Sequence, residues 1–327
     1  MRRGAGAATR CRAVRRPTTS GRSPAEQDGR PMPEHRATTY GGQAVIEGVM
    51  IRGRRTVALA CRRPNGDIYR YREPLRSPLL RSPVARLPFV RGIVVLWESL
   101  SYGLRMLMRS AEVQLEGEQG QSTGGNNIVI GVALFAALVI FIGVPYVATN
   151  LARAAIPSSV VLNIVEGVIR LVLLIGYLIA ISFMPDVRRV FAYHGAEHMT
   201  IHAFEHGDPL LPERIAPYPT AHPRCGTAFL LFVAVVAIAL FAFLPRVNLL
   251  VDLITRLLLV VPVASISYEV LRLGAAHERL PVMRVLIAPG LLLQRITTRR
   301  PDARMIEVAV ASLEEAIAGD REAEAAA

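Results

Sequence analysis

The sequence predicts a mainly α-helical membrane protein, with about four transmembrane helices, a small N-terminal β-meander and interfacial or cytoplasmic helices. Three observations lead to this prediction. Of the 327 residues, 52% are hydrophobic but only 6% are aromatic, so the apolar excess is aliphatic. Several apolar segments of about 20 residues match the thickness of a bilayer core. Near the N-terminus, β-branched residues instead flank an Asn-Gly turn, which is typical of a hairpin.

The charge distribution indicates a membrane topology. The net charge is +12 and the chain contains no lysine, so every basic side chain outside histidine is an arginine. The arginines concentrate before the first apolar segment and beside later ones, as positive residues do on the cytoplasmic side of membrane proteins. We therefore expect a protein of the cytoplasmic membrane that contacts the lipid bilayer, keeps both termini in the cytoplasm and binds no nucleic acid.

The N-terminal third divides into three segments. Residues 1–37 are rich in Arg, Pro, Gly and Ser and are expected to form a disordered basic tail. Residues 38–73 form the expected β-meander, which contains the motif GGQAVIEG. Residues 74–126 combine a basic connector with an amphipathic helix at 91–109. That helix either lies in the membrane interface or packs against the meander.

Residues 127–271 are expected to form a four-helix membrane region. The expected spans are 127–149, 161–184, 227–244 and 247–271. The second and fourth spans each contain an acid and an arginine four residues apart, namely Glu166 with Arg170 and Asp252 with Arg256. Charges inside a bilayer are costly unless they face protein or water, so each pair is either a structural ion pair or part of a polar path.

Residues 272–327 are expected to form a cytoplasmic or interfacial C-terminal segment. Its apolar run 285–293 is short for a span and contains Pro289-Gly290, which favours a re-entrant or interfacial segment. Residues 302–318 predict a short amphipathic helix, and the acidic, Ala-rich residues after it predict a frayed tail.

Residues with metal-binding chemistry concentrate in the cytoplasmic loop 185–226, which holds five of the 7 histidines. His194 and His198 are four residues apart, so on a helix their imidazoles lie on one face and can share a metal ion. With Glu197 they form the pattern H-x-x-E-H. This is the inverted zinc-protease signature, in which the glutamate is the general base toward water.

The same loop supplies further ligands. A neutral imidazole and a thiolate are ordinary zinc ligands, so we expect His222 to join His194 and His198, with Cys225 as a fourth ligand or just outside the ligand shell. A helix rises about 6 Å in four residues, so His194 and His206 cannot bind one ion.

Two other histidines continue the four-residue spacing. Either the helix breaks near Ala203, or the site uses one adjacent pair of histidines; His198 with His202 is then the alternative to His194 with His198. His206 precedes Gly207-Asp208-Pro209, where a helix ends, and is expected to cap that helix.

Two glutamates are candidates for a second carboxylate at the site. Glu205 nearly shares a helix face with His194, although it lies too far along the axis to bind the same ion. Glu47 would share a strand face with Gln43 and Val45. It then either faces water at a strand edge or is presented to the histidines.

Four motifs resemble one known family: Tyr40–Met50, His194–His198, His222–Thr227 and Pro289–Thr298. Together they are similar to the YqhQ-like family of bacterial multi-pass membrane proteins, a domain of unknown function described as predicted metal-dependent enzymes. The motifs cover about residues 40–315 in order. Met199 stands where the family has lysine, and Ile51 where it has a second methionine. The resemblance implies the fold and a location in the bacterial cytoplasmic (inner) membrane.

Three functions follow as hypotheses. The first is a metal-dependent hydrolase of a peptide or lipid-linked substrate, with a zinc-type divalent ion and Glu197 as base. If Cys225 completes the ligand shell, the metal is structural instead. The second is a non-enzymatic membrane scaffold or assembly factor with structural histidines. The third is a small transporter that uses the charged pairs within the spans; four spans are few for a transporter unless the protein forms a homo-oligomer, which the sequence leaves open.

Overall fold

The computed structural model describes residues 40–75, 87–115, 126–277 and 280–326. The strands are β1 (Gly41–Val45), β2 (Gly48–Arg52), β3 (Thr56–Arg62) and β4 (Ile68–Pro74). The helices are α1 (Val90–Leu115), α2 (Asn126–Leu138), α3 (Val144–Leu151), α4 (Ser159–Ile181), α5 (Pro185–His206), α6 (Pro212–Ile215), α7 (Gly226–Phe241), α8 (Leu249–Ala276), α9 (Pro281–Thr297) and α10 (Ala303–Ala325). The expected tail 1–37 and most of the expected connector lie outside the described residues.

The predicted meander is confirmed as an antiparallel sheet with strand order β1-β2-β3-β4. The turn between β3 and β4 uses Gly66 at a φ of 95°, and Asn65 Oδ1 accepts a hydrogen bond from the Asp67 N–H. Alternate residues along the strands point to opposite faces, and both faces are apolar. Ile51 is buried on one face, while Met50 is buried on the other. The sheet is therefore a central layer with helices on both sides.

Helices α5 and α10 cover one face of the sheet, and α1 covers the other. The expectation of a frayed C-terminal tail is wrong, because α10 continues to Ala325. Asp320, which is 4% exposed, explains the difference. Its carboxylate accepts hydrogen bonds from the backbone N–H groups of Arg54 and Arg55 and from the Tyr40 hydroxyl, which fastens the end of α10 to the sheet.

Within the described part of the chain, three helical segments are long and apolar enough to cross a membrane, and one shorter apolar helix accompanies them. The long segments are Gly131–Ala154, Ser159–Ile181 and Leu249–Gly274, and the shorter helix is Gly226–Phe241. Large aliphatic side chains on these helices are outward-facing; Leu258, for example, is 71% exposed. Such extensive apolar surface is stable only against lipid. The protein is therefore a multi-pass membrane protein.

Three arginines inside or beside the spans cluster around Glu166. Its carboxylate pairs with Arg170, as the sequence predicts, and also with Arg246 and Arg256. The expected Asp252–Arg256 pair does not form. Asp252 instead accepts a hydrogen bond from the Val247 N–H near the start of α8, because the unpaired N–H groups at a helix start attract a carboxylate.

Arg170 of this cluster also compensates for a proline, Pro145, in the first long segment. Pro145 has no N–H, so the carbonyl of Phe141, four residues earlier, loses its helical partner. The helix passes through a π-helical segment there, Val139–Gly143. The Nε–H of Arg170 donates a hydrogen bond of 2.9 Å to the Phe141 carbonyl and replaces the missing donor.

The segment expected to be re-entrant or interfacial is a continuous helix. α9 runs through Pro289-Gly290 and packs along α7. Gly290 permits this packing, because an added Cβ would lie 2.7 Å from the Cβ of Ala228. The apolar run is too short to cross a bilayer but long enough to cover one side of α7.

Helix α1 packs on the sheet through Tyr102 and Met106, as one of the two sequence-based alternatives expects. Its opposite side carries exposed apolar residues, with Trp97 at 64% and Leu100 at 69% exposure. Arg91 at its start forms an ion pair with Glu269 near the end of the span α8. The start of α1 is thus held at the membrane boundary, and its apolar side suits the interface.

We therefore expect Trp97, the single tryptophan of the chain, to contact lipid. In liposomes that contain lipids brominated near the headgroup, its fluorescence should be strongly quenched, because bromine quenches at contact. As a control, a double variant with Trp97→Phe and Leu211→Trp moves the reporter to an exposed position before α6. That reporter should respond to aqueous acrylamide and not to the brominated lipid. Equal lipid quenching of both reporters would contradict the interfacial placement.

Candidate metal centre

Helix α5 supplies most of the residues expected at the site. It begins with Pro185 at its first position and ends at Gly207, whose φ of 79° terminates the helix. The helix is continuous, so the expected alternative of a break near Ala203 does not occur. Ten of its residues are buried, among them Glu197 and His198. Such burial on several sides requires that the polar side chains find partners.

His194, His198 and Cys225 converge and form what we call the first group. One ligand atom from each lies within 4.8 Å of the others. His194 Nε2 is 3.2 Å from Cys225 Sγ, and the two imidazole rings are 4.4 Å apart. The sequence leaves open whether Cys225 is a fourth ligand or lies just outside the ligand shell, and the structure brings its Sγ into the cluster.

Backbone carbonyls orient both imidazoles of the first group. His194 Nδ1 lies 2.9 Å from the Thr297 carbonyl, and His198 Nδ1 lies 2.6 Å from the Thr220 carbonyl. A carbonyl only accepts, so each Nδ1 carries a proton, and in the neutral imidazole the lone pair is then on Nε2. This carbonyl–imidazole arrangement is the usual support of a metal-binding histidine.

The first group's thiol sits at the start of an apolar helix. Cys225 is the N-cap of α7, and its Sγ accepts a hydrogen bond from the Thr227 N–H at 3.3 Å. The Thr227 hydroxyl lies 2.9 Å from the same sulfur. These contacts hold the sulfur at the helix start, where it can bind a metal ion as the thiolate.

His222 joins a different cluster. His202, Glu205 and His222, which we call the second group, place one ligand atom each within 4.8 Å of the others. We expected His222 to bind the same ion as His194 and His198, but its side chain lies closer to His202 and Glu205. Burial, followed by the nearby charge of His222, lowers the pKa of His202 to about 4, so this imidazole is neutral near pH 7.

Glu197 faces a cavity of about 260 Å³ beside both groups. It is 4% exposed, and its Oε2 lies 3.4 Å from His198 Nε2. Strand β1 runs closely over it, since a Cβ added to Gly42 would lie 3.2 Å from Glu197 Cγ. The lining includes Arg52, His198, His222, Arg224 and Cys225. A buried carboxylate next to potential metal ligands is suited to proton transfer.

Glu47 does not face the histidine groups. The expectation that it shares a strand face with Gln43 and Val45 is wrong, because Ile46 and Glu47 form the turn between β1 and β2. Glu47 adopts a φ of 50° and pairs with Arg189, whose Nε–H donates to it at 2.6 Å. Burial and the charge of Glu47 raise the pKa of Tyr193 beside it. The carboxylate thus faces Arg189 and Tyr193 instead of the histidines.

His206 lies in neither group. Its Nδ1 lies 2.8 Å from the carbonyl of His202, in the last turn of α5. This position at the end of the helix agrees with the capping role that the sequence predicts. His206 therefore continues the four-residue spacing of the histidines without joining either group.

Sequence reasoning missed the residues that hold the ligands. Gln294, which is 0% exposed, donates to the His222 carbonyl at 2.9 Å and accepts from the His222 N–H at 2.8 Å. Arg224 pairs with Glu205. Gln294 belongs to the motif at Pro289–Thr298, which is the one signal that could have identified it. Its partner lies 72 residues away, so spacing alone could not.

Comparisons with known proteins identify a family that matches this chain. The profile of a family described as "Protein of unknown function (DUF1385)" matches residues 87–319, which include both groups and Glu197. Over 290 residues the chain is 34% identical to the Bacillus subtilis (strain 168) protein described as "Uncharacterized protein YqhQ". That alignment covers 84% of this chain and 91% of the relative. No solved structure matches.

The close contact at Gly195, beside His194, yields a stability prediction. A Cβ there would overlap the carbonyl oxygen of Arg299. We expect Gly195→Ala to cost about 1–3 kcal/mol, as overpacking does, and to lower the melting temperature in detergent. Gly176→Ala in α4 is the matched control, since its Cβ would meet nothing within 4 Å. It should leave the melting temperature unchanged or raise it slightly. Identical melting of both variants would contradict a tight crossing at Gly195.

Proposed function

The chain belongs to the DUF1385 family, and from this membership and the first group we propose that it is a membrane-bound metal-dependent hydrolase. In this proposal His194, His198 and Cys225 hold one divalent ion, with zinc preferred, and Glu197 is the general base. The observation that carries it is the position of Glu197, buried in a cavity next to the ligand atom of His198. The arginine distribution favours a cytoplasmic orientation of the site.

The donor set fits zinc. Carbonyls face both Nδ1 atoms, so in the neutral imidazoles the Nε2 lone pairs are available to an ion, and the sulfur held at the helix start can bind it as the thiolate. Nitrogen and sulfur donors in one cluster suit this borderline-soft ion better than Mg²⁺ or Ca²⁺. When bound, the ion supplies a Lewis acid that polarises the bond to be broken.

The number of ligands favours catalysis over a purely structural role. Structural zinc sites are usually closed by four protein ligands, whereas catalytic sites use three and keep one position open. His222, the expected additional ligand, lies with His202 and Glu205. The first group thus presents three ligands beside a cavity that can admit a substrate.

Glu197 has the surroundings of a general base. Its carboxylate can take one proton from a water molecule, whose oxygen then bonds to the electrophilic atom of the substrate. As the bond to the leaving group breaks, Glu197 returns that proton to the leaving group. A positioned acid–base group of this kind typically accelerates a reaction about 10²–10⁴-fold.

The surroundings of the cavity support a substrate that is lipid-linked, although a membrane-adjacent peptide fits the same chemistry. Gly226, the first residue of the apolar helix α7, lines the cavity, as does Ser99 of the interfacial helix α1. The guanidinium groups of Arg52 and Arg224 offer positive charge to a polar headgroup. Carboxylates of Glu98 and Glu205 hold both guanidinium groups in place.

A non-enzymatic scaffold is the second candidate, and one observation favours it. The motif residues also join the sheet to α5 and α10, through the Tyr40–Asp320 hydrogen bond and the contact of Gly195 with the Arg299 carbonyl. A transporter receives less support, because Glu166 is already paired with three arginines instead of facing an open path.

Metal analysis tests the first group. We expect the purified protein to contain zinc, and His198→Ala to lose the ion of the first group because one of only three ligands is gone. His277→Ala, at the exposed end of α8, is the control and should keep the wild-type content. Inductively coupled plasma mass spectrometry measures the content. Wild-type protein without metal, or an unaltered content in the His198 variant, would contradict the proposal.

Glu197→Gln separates catalysis from structure. The amide keeps the shape of the side chain but cannot accept a proton, so metal and melting temperature should be retained while activity falls about 10²–10⁴-fold. Complementation of a strain that lacks the gene provides the readout. Glu213→Gln, an exposed change in α6, should complement fully. Full complementation by Glu197→Gln would instead support the scaffold.

A further inference from the structure

The cluster around Glu166 carries more positive charge than its carboxylate can balance. Oε1 of Glu166 pairs with Arg170, and Oε2 pairs with both Arg246 and Arg256. Guanidinium groups stay protonated in proteins, so three positive charges face one negative charge. This excess is costly because a membrane-spanning bundle has a low dielectric and solvates unpaired charges poorly.

Asp252 and Tyr146 offset part of this excess. The Tyr146 hydroxyl lies 3.5 Å from Asp252 Oδ2. The Tyr146 ring lies 5.6 Å from the guanidinium of Arg256 and 5.9 Å from that of Arg246. The Asp252 carboxylate adds one negative charge, while an aromatic ring attracts cations without carrying a net charge. Two carboxylates against three guanidinium groups leave one positive charge unbalanced.

Arg256 has an unused donor in the interior. It is 8% exposed, and its Nη2 lies 3.0 Å from Glu166 Oε2 and 3.4 Å from Asn163 Oδ1. Its Nε–H is buried and has no hydrogen-bond partner among the residues that the structure describes. A buried donor without a partner costs free energy, and one on a charged group costs more. A negatively charged acceptor beside Arg256 would remove this cost together with the charge excess.

A small cavity borders these groups between α4, α7 and α8. Its volume is about 20 Å³, and Asn163, Glu166, Arg170 and Arg256 contribute to its lining. Apolar residues of α7 also line it, among them Ala237. A cavity needs about 10–15 Å³ to hold one guest of the size of water. The space therefore fits one small ion, but neither a phosphate nor a lipid headgroup.

This cavity is remote from the first group. Cys225 caps the start of α7, whereas Ala237 belongs to the second half of the same helix. With a rise of 1.5 Å per residue, the two positions are about 18 Å apart along the axis. Binding in this cavity is thus separate from metal binding at the first group.

We propose that the cavity binds one monovalent anion of about the size of chloride, held by the guanidinium groups of Arg170 and Arg256. The anion balances the remaining positive charge, and it lies where Arg256 has a donor to spare. The volume excludes larger anions, and the positive charge excludes cations. Because it removes the charge excess between α4, α7 and α8, the anion stabilises the helix bundle.

Thermal melting in two salts tests the proposal. The full chain, purified in detergent, is dialysed into sodium gluconate, whose anion is too large for the cavity. Chloride then replaces gluconate at constant ionic strength, so that screening of surface charges does not change. A ligand that binds only the folded state raises the melting temperature. We expect a saturable rise of a few degrees in chloride and in bromide.

Variants assign the effect to the cavity. Arg256→Gln removes the positive excess, and Ala237→Val fills the cavity without changing the charge. Both should lose the chloride-dependent rise, whatever their melting temperatures in gluconate. Glu166→Gln adds one net positive charge and should lower the half-saturating chloride concentration several-fold. The matched controls are Arg214→Gln in α6 and Ala239→Val in α7, which are exposed and should respond as the wild type does.

The outcomes decide between occupants. Equal melting of the wild type in chloride and gluconate would overturn the proposal. A chloride effect that persists in Arg256→Gln and Ala237→Val would also overturn it, because the anion would then bind elsewhere. Stabilisation by added phosphatidylglycerol but not by chloride, lost in Arg256→Gln, would instead assign the charge balance to a lipid headgroup. None of these results depends on the zinc content, so this proposal and the proposed function can fail separately.

Discussion

The burial of helix α5 is the constraint on which the rest of the structure depends. This helix carries four histidines and two glutamates yet lies between the sheet, α10 and the loop before α7. Buried polar groups must find partners, so the surrounding backbone is placed to supply them. The carbonyls of Thr220, Ala221 and Thr297 each contact one imidazole. The same contacts that make burial tolerable also aim the ring nitrogens, so packing and site geometry have one cause.

The soluble layers and the membrane helices are joined at this helix. The Arg299 N–H donates to the Phe191 carbonyl of α5, and its own carbonyl passes close to Gly195. Gln294 of α9 holds the backbone of His222 just before α7 enters the apolar region. The ligands therefore depend on elements that are far apart in the chain, which gives them little freedom to move separately. A preorganised arrangement is what a metal centre needs.

Charged groups within the spans must also be paired, as buried polar groups must. Glu166 is nearly inaccessible, and its carboxylate is shared by three arginines. One of them, Arg170, also completes the hydrogen bonding of the carbonyl that Pro145 leaves without a donor. Ionised groups in a bilayer persist only when they are paired, so these contacts stabilise the helix bundle near a break in its regular hydrogen bonding.

The sequence by itself determined the elements whose causes are local. Hydropathy identified the spans, the Asn-Gly turn identified a hairpin, and the spacing of His194 and His198 placed both on one helix face. Only the tertiary structure decided which distant residues complete each cluster. Cys225 joins the first group and His222 the second, because the loop between α5 and α7 folds back along the helix. Glu47 turned toward Arg189 because a hairpin turn, invisible to simple strand alternation, falls at that residue. Local periodicity encodes helix faces, whereas the pairing of faces depends on packing between residues far apart in sequence.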